Sequence, residues 1–196
     1  MRGNGEARAT KSRTVRTPEE ARQLSDLLEA SAGRTAQAVR DVLDRGPSAL
    51  VALSRLKFEP MGCDPLDTER PLNLIEQLNQ TFTYEASLAA AEWLLERHPE
   101  HSPFKLNLGT EGGTDIRSED GHVAAEVFAA VDPANNRKLE KDVARVRESG
   151  ARHRYVAYLS PVRPGRGDDY DDDGVHVHRL GLYRSEAVAG RGPSPK

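Results

Sequence analysis

Cysteine is nearly absent from this 196-residue chain: Cys63 is the only one, which excludes an internal disulfide and suits a reducing compartment. Aromatic residues are equally sparse at 5%, and the hydrophobic set reaches only 37% against 30% charged. A balance this lean concentrates the core in a few segments. Long apolar runs are missing too. No stretch approaches the roughly 18 residues of a membrane span, and residues 1–16 lack the apolar centre of a signal peptide, so the expectation is a cytoplasmic protein with no membrane partner. Neither sign of charge dominates. With a formal net charge of −3, any contact with nucleic acid would have to use local basic patches. There is no serine elbow flanked by glycines and no glycine-rich loop with a phosphate-cradling lysine, which removes two large enzyme classes. No internal repeat is visible.

What is present divides into three parts. Residues 1–16 place Arg2, Arg8, Lys11, Arg13 and Arg16 among small polar residues and read as a disordered basic arm; residues 185–196 read as a flexible Gly/Pro/Ser tail. Between them, residues 17–184 form a single domain, helical over 17–98 and sheet-forming over 104–184. Thr17-Pro18-Glu19-Glu20 is a capping box that opens a helix with Leu24, Leu27 and Leu28 inward. Further helices are predicted over Thr35–Leu43 and Ala49–Leu56, and Lys57–Arg70 reads as a loop because of its Pro and Gly residues. The longest helix pattern runs from Pro71 to Arg97, with Ile75, Leu78, Phe82, Ala86, Ala89 and Trp93 as its apolar stripe. Short β-like runs follow at Phe104–Leu108, Thr114–Ser118 and His122–Val131. A helix then extends to Glu148, followed by strands at Arg154–Leu159 and Val175–Tyr183 around a Pro161–Gly174 loop. This order predicts an α/β (α+β) fold in which helices flank a mixed central sheet.

The most informative local signal is Asp120-Gly121, which suits a two-residue type I′ hairpin turn. That turn makes Arg117 face Ala124, Ile116 face Ala125, and Asp115 face Glu126. Opposed carboxylates about 5 Å apart at Cβ repel unless a cation lies between them or one is protonated. Glu126 also interrupts Val123–Val131, which otherwise reads as a strand buried on both faces, so it needs a partner. The alternative is a solvent-facing pair, or a one-residue slip that sends the two acids to opposite faces. Glu85 falls at the edge of the long helix's stripe and is a candidate third acid.

A helix bearing an acid, a hairpin carrying Asp then Glu, a helix and a further strand together resemble the PD-(D/E)xK nuclease superfamily. The resemblance rests on Gly113-Thr114-Asp115-Ile116-Arg117 and Val123-Ala124-Ala125-Glu126-Val127-Phe128, within residues 72–160. It implies a restriction-endonuclease-like fold in which Asp115 and Glu126, with Glu85 as auxiliary, hold Mg²⁺ or Mn²⁺ for attack of water on a phosphodiester, most naturally of DNA. The family's lysine stands two residues after the glutamate, where this chain has Phe128; Lys138 is the best substitute. Lys138, Lys141, Arg145 and Asn136 on and before the next helix could follow a nucleic-acid backbone. The alternative is a catalytically inactive nuclease-fold protein that binds nucleic acid or a protein partner, or pairs as a homodimer.

Two other patterns carry less. Asp169–Gly174 matches the first half of a calcium loop, but Leu180 stands where the twelfth-position Glu belongs, so the stretch reads as a mobile acidic loop. His176 and His178 alternate on a strand without an identifiable third ligand and read as exposed strand residues.

Overall fold

The computed structural model describes residues 12–46, 48–109, 112–162 and 167–181. Its main sheet has seven strands, and the first of them corrects the N-terminal boundary. β1 (Ser12–Val15) pairs antiparallel with β4 (Phe104–Asn107), so residues 12–15 belong to the domain and not to an arm. The buried Val15 seats the strand in the core. Residues 1–11 and the 185–196 tail lie outside the described residues.

α1 (Pro18–Arg45) begins where the sequence places it, with the Thr17 hydroxyl accepting from the Glu20 N–H. It then runs unbroken through Gly33 and merges the first two predicted helices. α2 (Ala49–Phe58) follows, capped by Ser48. The Pro- and Gly-rich stretch after it holds a small hairpin, β2 (Gly62–Asp64) and β3 (Asp67–Leu72), where a loop was predicted. Pro65 and Leu66 make its turn, so the breakers position the strands without abolishing them.

α3 (Leu74–Arg97) opens with a complete capping box between Asn73 and Glu76. It buries Tyr84, Ala86, Leu88, Ala90, Ala91, Leu94 and Leu95, whereas Ile75, Leu78 and Phe82 of the predicted stripe are 52%, 45% and 42% exposed. The reason lies in its surroundings. The second half of α3 is sandwiched between α1 and the sheet and is buried nearly all round, while its first half packs on α1 and the β2–β3 hairpin through residues such as Leu74 and Gln77 and leaves that stripe outward.

The sheet order is β1-β4-β5-β6-β7-β9-β8, with β5 (Ile116–Ser118), β6 (Val123–Ala129), β7 (His153–Leu159), β8 (Asp169–Asp172) and β9 (Val175–Leu180). The pairs β6–β7 and β7–β9 are parallel and the rest antiparallel, so the predicted mixed sheet with flanking helices is observed. α4 (Lys138–Arg147) makes the crossover from β6 to β7. Alternation along the strands sorts the core into two layers. Ile116, Ala125 and Val127 pack with α3, and Ala124, Phe128, Val156 and Val177 pack with α4.

The two-residue type I′ turn lies elsewhere than predicted. At Asp173-Gly174, φ values of 51° and 75° join β8 to β9, and Asp172 pairs with Val175. The acidic stretch read as a calcium-like or mobile loop therefore includes a hairpin. Between β5 and β6 the connection is four residues, 119–122, and only Gly121 there has positive φ (75°). Asp120 Oδ1 accepts from the Ser118 hydroxyl (2.6 Å) and the His122 N–H (3.0 Å), an Asx-type closure that needs no left-handed aspartate. No helix among the described residues is long and apolar enough to cross a membrane.

Candidate metal centre at the carboxylate cluster

The longer loop keeps the predicted register because it is centred on the same point as the shorter one. Ile116 faces Ala125 and Arg117 faces Ala124. Continuing outward brings Asp115, one residue before β5, level with Glu126. Asp115 closes the ladder with its side chain: Oδ2 accepts the Val127 N–H at 2.8 Å, and its carbonyl accepts from Asn107 N at 2.8 Å. Since Ile116, Ala125 and Val127 face α3, both carboxylates face α4.

Glu126 sits in mid-strand and is fully buried at 0% exposure. Its Oε2 accepts from Arg145 Nη1 at 2.8 Å, and its Oε1 has no hydrogen-bond partner. Burial first, then the negative charge of Asp115, pushes its pKa up to about 7 against the pull of Arg145. Burial likewise raises Asp115, while the Val127 N–H and the charge of Lys138 hold it down.

The third acid of the cluster is Asp142, which is not among the residues the sequence singles out. It is 0% exposed, and Lys138 Nζ lies 2.8 Å from its Oδ1 and 2.7 Å from its Oδ2; Arg145 Nη1 is 3.9 Å away. A signal for it was present, since Asp142 falls three residues after Leu139 and directly before Val143, inside the apolar stripe of α4. Glu85, the predicted auxiliary ligand, belongs to α3 on the opposite side of the sheet. The charges acting on the pair come from α4 instead.

Lys138 does reach the region assigned to it. Its Nζ stands 5.4 Å over the ring of Phe128, the residue in the motif lysine's position, and so brings a cation to the face that carries Glu126. Arg145 contacts Glu126 directly. Asn136 and Lys141 stand apart from the carboxylates: Asn136 precedes α4 with φ of 56°, and Lys141 is exposed.

Beside the cluster opens a polar cleft lined by Gly113, Thr114, Arg117, Arg145 and Ser149. Arg117 pairs across the strands with Lys105, and both are exposed on the face that α4 leaves uncovered among the described residues. The arrangement sets three carboxylates against two cationic groups, an excess of one negative charge in a largely dry site. A proton on Glu126 or a hard divalent cation neutralises it. No family model, curated protein or solved structure matches this chain.

Proposed function

We propose that the chain is a metal-dependent phosphodiester hydrolase of nucleic acid, of PD-(D/E)xK type, with Asp115 and Glu126 as the metal ligands. The observation that carries this reading is the opposed pair, Glu126 fully buried and Asp115 half-buried, with one glutamate oxygen left without a partner. The donors fit the ion, because carboxylate oxygens suit Mg²⁺ or Mn²⁺ and an orphaned buried oxygen costs free energy that a ligand would recover. Held there, the cation would supply positive charge to a phosphate and lower the pKa of a bound water. The chain's own groups do the rest. The Val127 N–H fixes the Asp115 carboxylate, Arg145 and Lys138 add cationic character beside the pair, and Lys105 and Arg117 offer phosphate contacts along the neighbouring strands. Purified protein is expected to cut DNA or RNA with Mg²⁺ or Mn²⁺, and Asp115→Ala to abolish the cutting. Equal cleavage by that variant would sink the proposal.

A binding-only reading draws on one observation, that Arg145 already satisfies Glu126 Oε2. It expects no Mn²⁺ uptake at millimolar concentration in titration calorimetry, whereas the hydrolase reading expects uptake that Glu126→Gln removes.

A further inference from the structure

Four of the six histidines gather at the N-terminal end of β6, apart from the mid-strand Glu126. His98 caps the end of α3, His101 closes the short 3-10 turn Pro99–His101, His153 opens β7, and His122 belongs to the β5–β6 loop. Each of His98, His101 and His153 offers a ring nitrogen, and the three lie within 4.8 Å of one another. Tetrahedral ligands of zinc stand roughly 3.3 Å apart, from a metal–nitrogen bond of about 2.0 Å. Side-chain rotations that bring the nitrogens closer by up to about 1.5 Å close that difference.

The surroundings have the form of a metal site's outer shell. His98 Nε2 is 2.6 Å from the Tyr155 hydroxyl, and His101 Nδ1 is 2.6 Å from Asp120 Oδ2. One nitrogen of each ring is thereby engaged, which is how metal-binding imidazoles are oriented. The nitrogens left over, His98 Nδ1 and His101 Nε2, both look at Glu100 Oε1, 3.6 Å and 3.5 Å away. One carboxylate oxygen thus lies within 3.6 Å of a nitrogen on each of the two rings. Asp120 is itself fixed by the Ser118 hydroxyl and the His122 N–H, and the loop is tied to β7 by the bond from His153 N to the His122 carbonyl at 2.9 Å. His98 is buried at 8% exposure and its ring packs 4.6 Å from that of His153.

We propose that His98, His101 and His153 form a second metal site, for a divalent transition metal of the zinc class, with Glu100 or water as fourth ligand. Imidazole donors select Zn²⁺, Co²⁺ or Ni²⁺ over Mg²⁺, so this site and the carboxylate cluster choose different ions. An ion there ties the C-terminal end of α3 to the first residue of β7 and, through Asp120, to the β5–β6 loop. Its consequence is stability of the sheet end.

The test uses the full chain stripped of metal with chelator and dialysed. Titration calorimetry with Zn²⁺ is expected to give one ion per chain with micromolar or tighter affinity, an increase in Tm, and with Co²⁺ the visible absorption of a nitrogen-rich tetrahedral centre. His101→Ala and His153→Asn should each weaken Zn²⁺ at least tenfold, and Glu126→Gln should leave it unchanged. Circular dichroism of the metal-free variants shows that they fold; His153→Asn, at the partly exposed start of a strand, serves if His101→Ala does not. The proposal is overturned if Zn²⁺ binds no tighter than millimolar, if His153→Asn binds it as well as the parent, or if Glu126→Gln abolishes it.

Discussion

Glu126 is the residue on which the most chemistry converges. A carboxyl buried in mid-strand beside Asp115 holds a proton more tightly in the folded chain than in the unfolded one. The folded state is therefore favoured below the unfolded-chain value of 4.5 and loses that advantage as pH rises through about 7. Thermal melts without divalent metal should show Tm falling as pH rises from about 4.5 to about 7 and levelling off above that, with a total loss on the order of 3 kcal/mol. Glu126→Gln should flatten that interval, and Mn²⁺ added to the parent at pH 8 should restore the lost stability. A variant that keeps the parent's slope would assign the titration elsewhere. Asp115 and Glu126 were legible in the sequence because a glutamate inside an apolar strand is a visible violation and hairpin parity fixes its partner. The pairing survived a mistaken turn, since the two-residue and four-residue loops share a centre. Asp142 was missed for the converse reason. On a helix full of charge, Lys138, Glu140 and Lys141 made one more acid look solvated, although its place in the stripe of Leu139, Val143 and Val146 said otherwise.

At the scale of elements, α4 is seated on the sheet by Leu139, Val143 and Val146, and it carries the buried Asp142 beside them. Replacing Lys138 with Met preserves the cover over Phe128 but strands the fully buried Asp142 with only the more distant Arg145. The expected cost is about 3 kcal/mol in denaturant unfolding, and adding Asp142→Asn should recover much of it. If Lys138→Met alone is neutral, the ion pair contributes nothing to the packing of α4. Glycines mark the other legible and illegible boundaries. The sequence reading broke the first helix near Gly33, but α1 continues through it, and a methyl group there would meet nothing within 4 Å. Gly33→Ala should then stabilise the chain by about 0.5–1 kcal/mol through helix propensity and a less flexible unfolded state. Gly174 is the opposite case. Its φ of 75° completes the β8–β9 turn, and a Cβ would stand 3.3 Å from Arg154 Nη2. Gly174→Ala should cost about 1–2 kcal/mol, read as a lower Tm. The turn escaped the sequence reading because Asp-Gly occurs at both hairpins, and only long-range pairing decides which pair adopts the mirror-image turn.

For the whole molecule, the sheet divides labour between its faces. α3 and α1 cover one side and supply most of the apolar core, while α4 covers only the β6-β7-β9 part of the other. Among the described residues nothing covers β4 and β5 on the side that carries the carboxylates, and Lys105 and Arg117 stand exposed there as cross-strand partners. Composition could not reveal this patch, because a net charge of −3 averages it against acids placed elsewhere, notably Asp169, Asp171 and Asp172 of β8 at the far edge of the sheet. If nucleic acid lies along β4 and β5 toward Glu126, the apparent binding constant should fall steeply with salt as condensed counterions are displaced. Each lost phosphate contact lowers that slope by about one, so Lys105→Glu with Arg117→Glu should reduce it by about two without shifting the Zn²⁺ affinity of the histidine cluster. Filter binding of a short duplex across a salt series reads the slope directly, and an unchanged slope in the double variant would move the contact surface away from this face.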